Sequence, residues 1–230
     1  MLFLVLWAAY MAPGRTMGGA DTFPNRYLPI AILRHGTFYL DRAPQEKSAW
    51  EQWRRDVHGH AVSDYPVGTA LLALPIYLPL VLGGLDFDDP RMNRIENLVA
   101  ATMAALTGVI FYVTVLHLVD PVIAVVLALI AGLGTSTMSV NAHGLWHHNG
   151  VQLAVAIALY CLVRGRVERV WLARAALPLG FAALITRPQS APLIAPLVVY
   201  TLLQRPGIAR CGLWAAPVVV FYLWLHCCPS

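Results

Sequence analysis

From Glu96 to the C-terminus the sequence passes through one apolar stretch after another, with short connections rich in Arg, Gly, Pro or His between them. Several approach the roughly 20 residues that a helix needs to cross a bilayer, and the shorter ones suit tilted, Pro-broken or protein-buried helices. Backbone polar groups in hydrocarbon must be paired internally, so such a chain crosses as helices or as a closed barrel. A barrel strand alternates apolar and polar positions, whereas Val122 to Gly134 is apolar on every face. Hydrophobic residues make up 58% of the chain and charged ones only 12%, far too few to cover a water-facing surface. The expectation is an all-α, polytopic membrane protein with about 7–8 hydrophobic segments.

The candidate segments are Met1 to Ala12, Val67 to Leu85, Asn97 to Leu118, Val122 to Val140, Gly150 to Val163, Ala173 to Ile185, Ser190 to Leu203 and Cys211 to His226. They organise residues 1–230 as one membrane domain: a first hydrophobic segment (1–12), a long polar loop (13–66) and a helical bundle (67–230). Within the loop, Pro24 to Leu33 and the Trp50/Trp53 stretch from Ser48 to Asp56 suit short helices lying at the interface. Arginine-rich connections at 164–169 and 205–210 favour the cytoplasm, which puts Asn141 to Asn149 outside. The side of the long loop then depends on whether Val67 to Leu85, with Pro75 and Pro79 inside it, truly spans. The outside placement is preferred.

Nearly all the basic charge is arginine, with Lys47 the single lysine, and no basic cluster carries the aromatic interleaving of a nucleic-acid binder. The four cysteines sit in or beside apolar runs and read as small fillers. Soluble-enzyme signatures such as a phosphate-binding glycine loop or His-Glu-x-x-His are missing.

Several polar residues stand out against this apolar background. Asp21 follows the first hydrophobic segment in Gly18-Gly-Ala-Asp-Thr-Phe-Pro24, where it either faces a membrane-surface site or caps the next helix. Asp64 and Tyr65 lie in Ser63-Asp-Tyr-Pro-Val-Gly68 at the entry to an apolar helix, where N-capping is the plainer reading. His143, Trp146, His147, His148 and Asn149 crowd one helix end; such residues either line a cavity or anchor the end at the interface. Arg187 stands between apolar segments and calls for water, a carboxylate or a phosphate. Arg91 and Arg94 precede the Asn97 helix, where ion pairs to Asp86, Asp88, Asp89 or Glu96 are the default and a bound anion the alternative. His58 and His60 form only a weak metal-binding pair.

Taken together, Gly19-Ala-Asp21, His35-Gly-Thr-Phe-Tyr-Leu-Asp41, Ser63-Asp-Tyr-Pro-Val-Gly-Thr69, Leu145-Trp-His-His-Asn-Gly150 and Ala183-Leu-Ile-Thr-Arg-Pro188 resemble landmarks of the GT-C membrane glycosyltransferases, of the protein mannosyltransferase type. The resemblance implies a bacterial plasma-membrane enzyme with an extracytoplasmic active face. It would move a sugar, with inversion, from a polyprenyl-phosphate donor to a lipid, glycan or protein hydroxyl. It casts Asp21 as the catalytic base. Arg94, Arg187, His147 and Tyr65 would bind substrate or phosphate, and Asp64, His143 and His148 would be ligands for a divalent metal such as Mg or Mn. Members of the family often carry paired acids in the first loop, where Asp21 stands without an adjacent partner, and are about twice this length, which leaves a truncated member open. A transporter or lipid-handling protein, and a non-catalytic fragment of a glycosyltransferase, remain open alternatives.

Overall fold

A computed structural model describes residues 1–44, 54–167, 179–180, 182–183, 186–187 and 190–204. The elements in chain order are α1 (Leu2–Met11), a 3-10 turn (Ala20–Thr22), α2 (Phe23–His35), β1 (Arg54–Val57), β2 (His60–Ser63), α3 (Gly68–Leu82) and α4 (Met92–Val115). After these come α5 (Pro121–Leu133), the short α6 (Ser136–Ser139), α7 (His147–Val167) and α8 (Ala191–Gln204). Residues 179, 180, 182, 183 and 186 are also helical. The expected segment Cys211 to His226 lies outside the described residues.

The fold is mostly helical, as expected, but not all-α. β1 and β2 form an antiparallel hairpin in which Val57 pairs with His60. Its two turn residues, His58 (φ 51°) and Gly59 (φ 84°), both take the positive φ that tight hairpin turns require. The hairpin is pinned to the preceding loop: Leu40 N donates to Ala61 O at 2.7 Å, and Ala61 N donates to the Asp41 carboxylate at 2.6 Å. The Ser48 to Asp56 interfacial helix is therefore corrected where it is described, because Arg54 to Asp56 are strand; residues 48–53 lie outside the described set.

Local sequence explains most helix limits. α2 has Pro24 in its first turn and stops at Gly36 in the left-handed region, with Arg34 and His35 in its last turn. It is a helix where one was expected, but Phe23 to Ala31 are buried on every face rather than resting on a surface. α5 opens on Pro121 behind Asp120, whose side chain accepts from Val122 N. The expected continuous segment Val122 to Val140 is broken after Leu133. There Thr135 caps a new short helix, and the chain bends by 42°.

α4 is the central helix, packed against α1, α5 and α7. Among the described residues it is the one helix long and apolar enough to cross a membrane, and the bent α5/α6 pair qualifies if counted as one broken span. α3, of 15 residues, is about 22 Å long, short of the roughly 30 Å hydrocarbon core.

The chain enters and leaves the α3 region at the same place. Thr69 Oγ1 donates to His147 O at 3.2 Å, and the Glu96 carboxylate accepts from Leu145 N at 2.9 Å. Residues 69 and 96 therefore meet the same short segment, so the chain from α3 to the start of α4 leaves one end of the bundle and returns to it. The opposite end is marked by Arg164 beside His117 at 3.3 Å.

Candidate active site

The 3-10 turn after α1 presents Asp21 at the bundle end where α2, α4 and α7 begin. Asp21 is not a helix cap: Thr22 exchanges hydrogen bonds with Gly19 at 3.1 Å, and α2 starts without a side-chain cap. Asp21 instead lies close enough to Tyr65 for its carboxylate to act on the phenol. Burial first, and then the nearby Asp21 carboxylate, push the Tyr65 phenol up to about 12, so it stays neutral and can serve as a donor. Tyr65 is itself held by Ser63, whose Oγ accepts from Tyr65 N at 3.1 Å and donates to Tyr65 O at 2.9 Å.

The Tyr65 ring packs on His147 with centroids 5.4 Å apart. His147 opens α7 and is 7% exposed. Burial lowers its imidazole to about 4, Arg187 and His148 push the same way, and Asp21 opposes them. His148 points outward, with both ring nitrogens within 2.8 Å of Arg187 Nη1. A guanidinium only donates and a neutral imidazole has one acceptor nitrogen, so Arg187 bonds to whichever ring nitrogen is bare, and the imidazole must be neutral. Burial and the Arg187 charge both lower His148, which agrees. Among the described residues no carboxylate pairs with Arg187.

Close helix contact brings these segments together. A Cβ on Gly68 would lie 2.8 Å from Thr186 Cα, and one on Gly150 would lie 2.6 Å from Thr69 Oγ1 and 2.7 Å from Thr186 Cγ2. Only glycine permits such approach, and it holds Thr186, and with it Arg187, against the starts of α3 and α7.

Beneath the site lies a buried ion pair between Arg26 of α2 and Glu96 of α4, with side chains 7% and 1% exposed. The Arg26 guanidinium also sits 5.1 Å over the Phe23 ring and 5.8 Å over Tyr27. Gly18 lies flush against the pair and Gly19 against Trp146, so the Asp21 turn rests directly on this layer. Arg26 and Asn25 escaped the sequence reading because in a linear chain they read as the polar stripe of an interfacial helix. In the sequence, Glu96 offers itself as a partner for Arg91 or Arg94. The structure gives Glu96 to Arg26 and pairs Arg91 with Asp89 at 2.8 Å.

The structure thus gathers Asp21, Tyr65, His147, His148 and Arg187. It leaves out Arg94, which is exposed on the first turn of α4 with no hydrogen bond or ion pair to the cluster. Asp64 is on the hairpin side, paired with Arg55 at 2.7 Å. His143 is buried, its backbone carbonyl accepting from Met17 N. His60 pairs with Asp41 and stacks on Tyr39, while His58 is a turn residue. Among the described residues no group of three or more His, Cys, Asp or Glu side chains converges on a point, so Asp64, His143 and His148 do not form the expected ligand set for Mg or Mn. Comparison with protein-family models, curated proteins and solved structures returns no match for this chain.

Proposed function

We propose that this chain is a polytopic membrane glycosyltransferase with about 7–8 hydrophobic segments. It transfers a sugar from a polyprenyl-phosphate donor to a lipid, glycan or protein hydroxyl, at a site on the extracytoplasmic face of a bacterial plasma membrane. The observation that carries the reading is the pairing of opposite tools at one end of the bundle: a carboxylate, Asp21, beside a neutral phenol, and a guanidinium, Arg187, beside a neutral imidazole with no carboxylate partner among the described residues. A cation without a carboxylate partner among the described residues suits a phosphate.

In the reaction, Asp21 takes the proton of the acceptor hydroxyl as its oxygen bonds to the anomeric carbon. The bond from that carbon to the phosphate oxygen breaks, and the electron pair leaves on the polyprenyl phosphate, which needs no proton. Arg187 steadies the negative charge there, and His148 holds the guanidinium in place. Attack opposite the leaving phosphate inverts the anomeric centre. The outside placement is supported by the chain's return from α3 to the same end of the bundle, since a segment that comes back need not change sides.

The test is transfer by the purified chain from polyprenyl-phosphate sugars to an acceptor lipid. Asp21→Asn should lose about 10²–10⁴-fold in rate. Undiminished transfer would remove Asp21 as the base. No transfer from any donor by the wild-type chain would overturn the glycosyltransferase reading.

A further inference from the structure

Asn25 lies in the first turns of α2, 1% exposed, and its amide group fixes a proton elsewhere. Asn25 Nδ2 donates to Leu145 O at 2.9 Å. A carbonyl only accepts, so the amide cannot be turned to put its oxygen there. The same Nδ2 faces His147 Nδ1 at 3.3 Å and has a second hydrogen to give. His147 Nδ1 must then be the bare nitrogen, and the ring proton sits on Nε2.

That Nε2 is fully buried and meets no hydrogen-bond partner among the described residues. A buried donor left without an acceptor is costly, and such groups are commonly reserved for a ligand. Its surroundings limit which ligand: the Tyr65 ring lies against the imidazole and the Asp21 charge acts on it. A hydroxyl fits both neighbours, because its oxygen can accept from His147 Nε2 while its hydrogen goes to Asp21.

We infer that Asn25 is a positioning residue that holds His147 in the Nε2–H tautomer, so that His147 donates to the oxygen of the acceptor hydroxyl that Asp21 deprotonates. This rests on the glycosyltransferase reading and adds a second group at the attacking oxygen. Donation to that oxygen stabilises the negative charge it gains as its proton departs. Burial keeps the imidazole neutral at ordinary pH, so it acts as a fixed donor and takes up no proton itself.

Two measurements test this on the full chain in detergent. Nitrogen NMR of ¹⁵N-histidine-labelled protein, with His147 assigned by its loss in His147→Gln, should show the neutral Nε2–H tautomer in the wild type and a mixture in Asn25→Val. A wild-type Nδ1–H tautomer, or an unchanged tautomer in Asn25→Val, overturns the inference. In the transfer assay, glutamine at 147 keeps an N–H near the Nε2 position while asparagine offers one only near Nδ1. His147→Gln should therefore stay within a few-fold of wild type, and His147→Asn should fall by about tenfold or more. Equal loss in both overturns the role at the hydroxyl. An Nε2–H tautomer in a chain that transfers no sugar defeats the parent reading alone, and transfer with an Nδ1–H tautomer defeats this inference alone.

Discussion

Removing the negative member of the Arg26–Glu96 pair should be more damaging than removing both members. In Glu96→Gln the amide oxygen can still accept from Leu145 N, but the amide nitrogen then faces Arg26 Nη2, donor against donor, and the guanidinium is left buried without a counter-charge. Breaking a buried pair in this way costs about 3–5 kcal/mol. In the double variant Arg26→Met/Glu96→Leu no charge is buried, and what remains is the Leu145 N–H without its acceptor, about 1–3 kcal/mol. The double variant should therefore be more stable than the single by about 2 kcal/mol. Equilibrium unfolding in mixed micelles, with denaturing detergent as the variable, measures both differences. A Glu96→Gln cost below about 1 kcal/mol, or a double variant less stable than the single, would refute the claim that this pair is dry and load-sharing beneath the Asp21 turn.

Gly68→Ala places a methyl against the Thr186 backbone and should destabilise by about 1–3 kcal/mol while lowering transfer, because it forces Arg187 away from Tyr65 and His147; thermal unfolding and rate are read together. Asp41 is held below the usual carboxylate range, first by the Ala61 N–H and then by His60. Its folded pKa is depressed, so the tie between Asp41 and β2 is present above the ordinary carboxylate pKa near 4 and is lost as pH falls through the lowered value; hydrogen exchange at Ala61 should accelerate only in that acid window. Arg55→Cys, on the exposed side of the hairpin, should react with a membrane-impermeant maleimide in intact cells, and protection there alongside labelling after lysis would invert the placement of the 13–66 loop.

Helix existence was written locally. α1, α4, α7 and α8 appear within a few residues of where the apolar runs lie, because length and apolarity alone decide whether a segment can be a buried helix. The β1/β2 hairpin is not legible in the sequence, although His58-Gly59 is a positive-φ turn pair, because its four-residue strands carry no apolar alternation that sets them apart from a polar loop. The kink after Leu133 was likewise missed: Gly134 with Thr135 looks harmless in an apolar run, and the 42° bend follows from the new cap that Thr135 makes.

Within the candidate site, Asp21, Tyr65, His147, His148 and Arg187 are each legible in the sequence as polar side chains out of place in an apolar chain. A polar group among apolar neighbours is costly unless something compensates for it, and that cost is visible in one dimension. Which of those groups share a site was decided only by the tertiary structure. It separated Arg94, Asp64 and His143 from the cluster and supplied Asn25, Arg26 and Glu96 beneath it. Convergence depends on where helices approach closely, here at Gly68 and Gly150 against Thr186, and distances between segments far apart in sequence leave no trace in local composition.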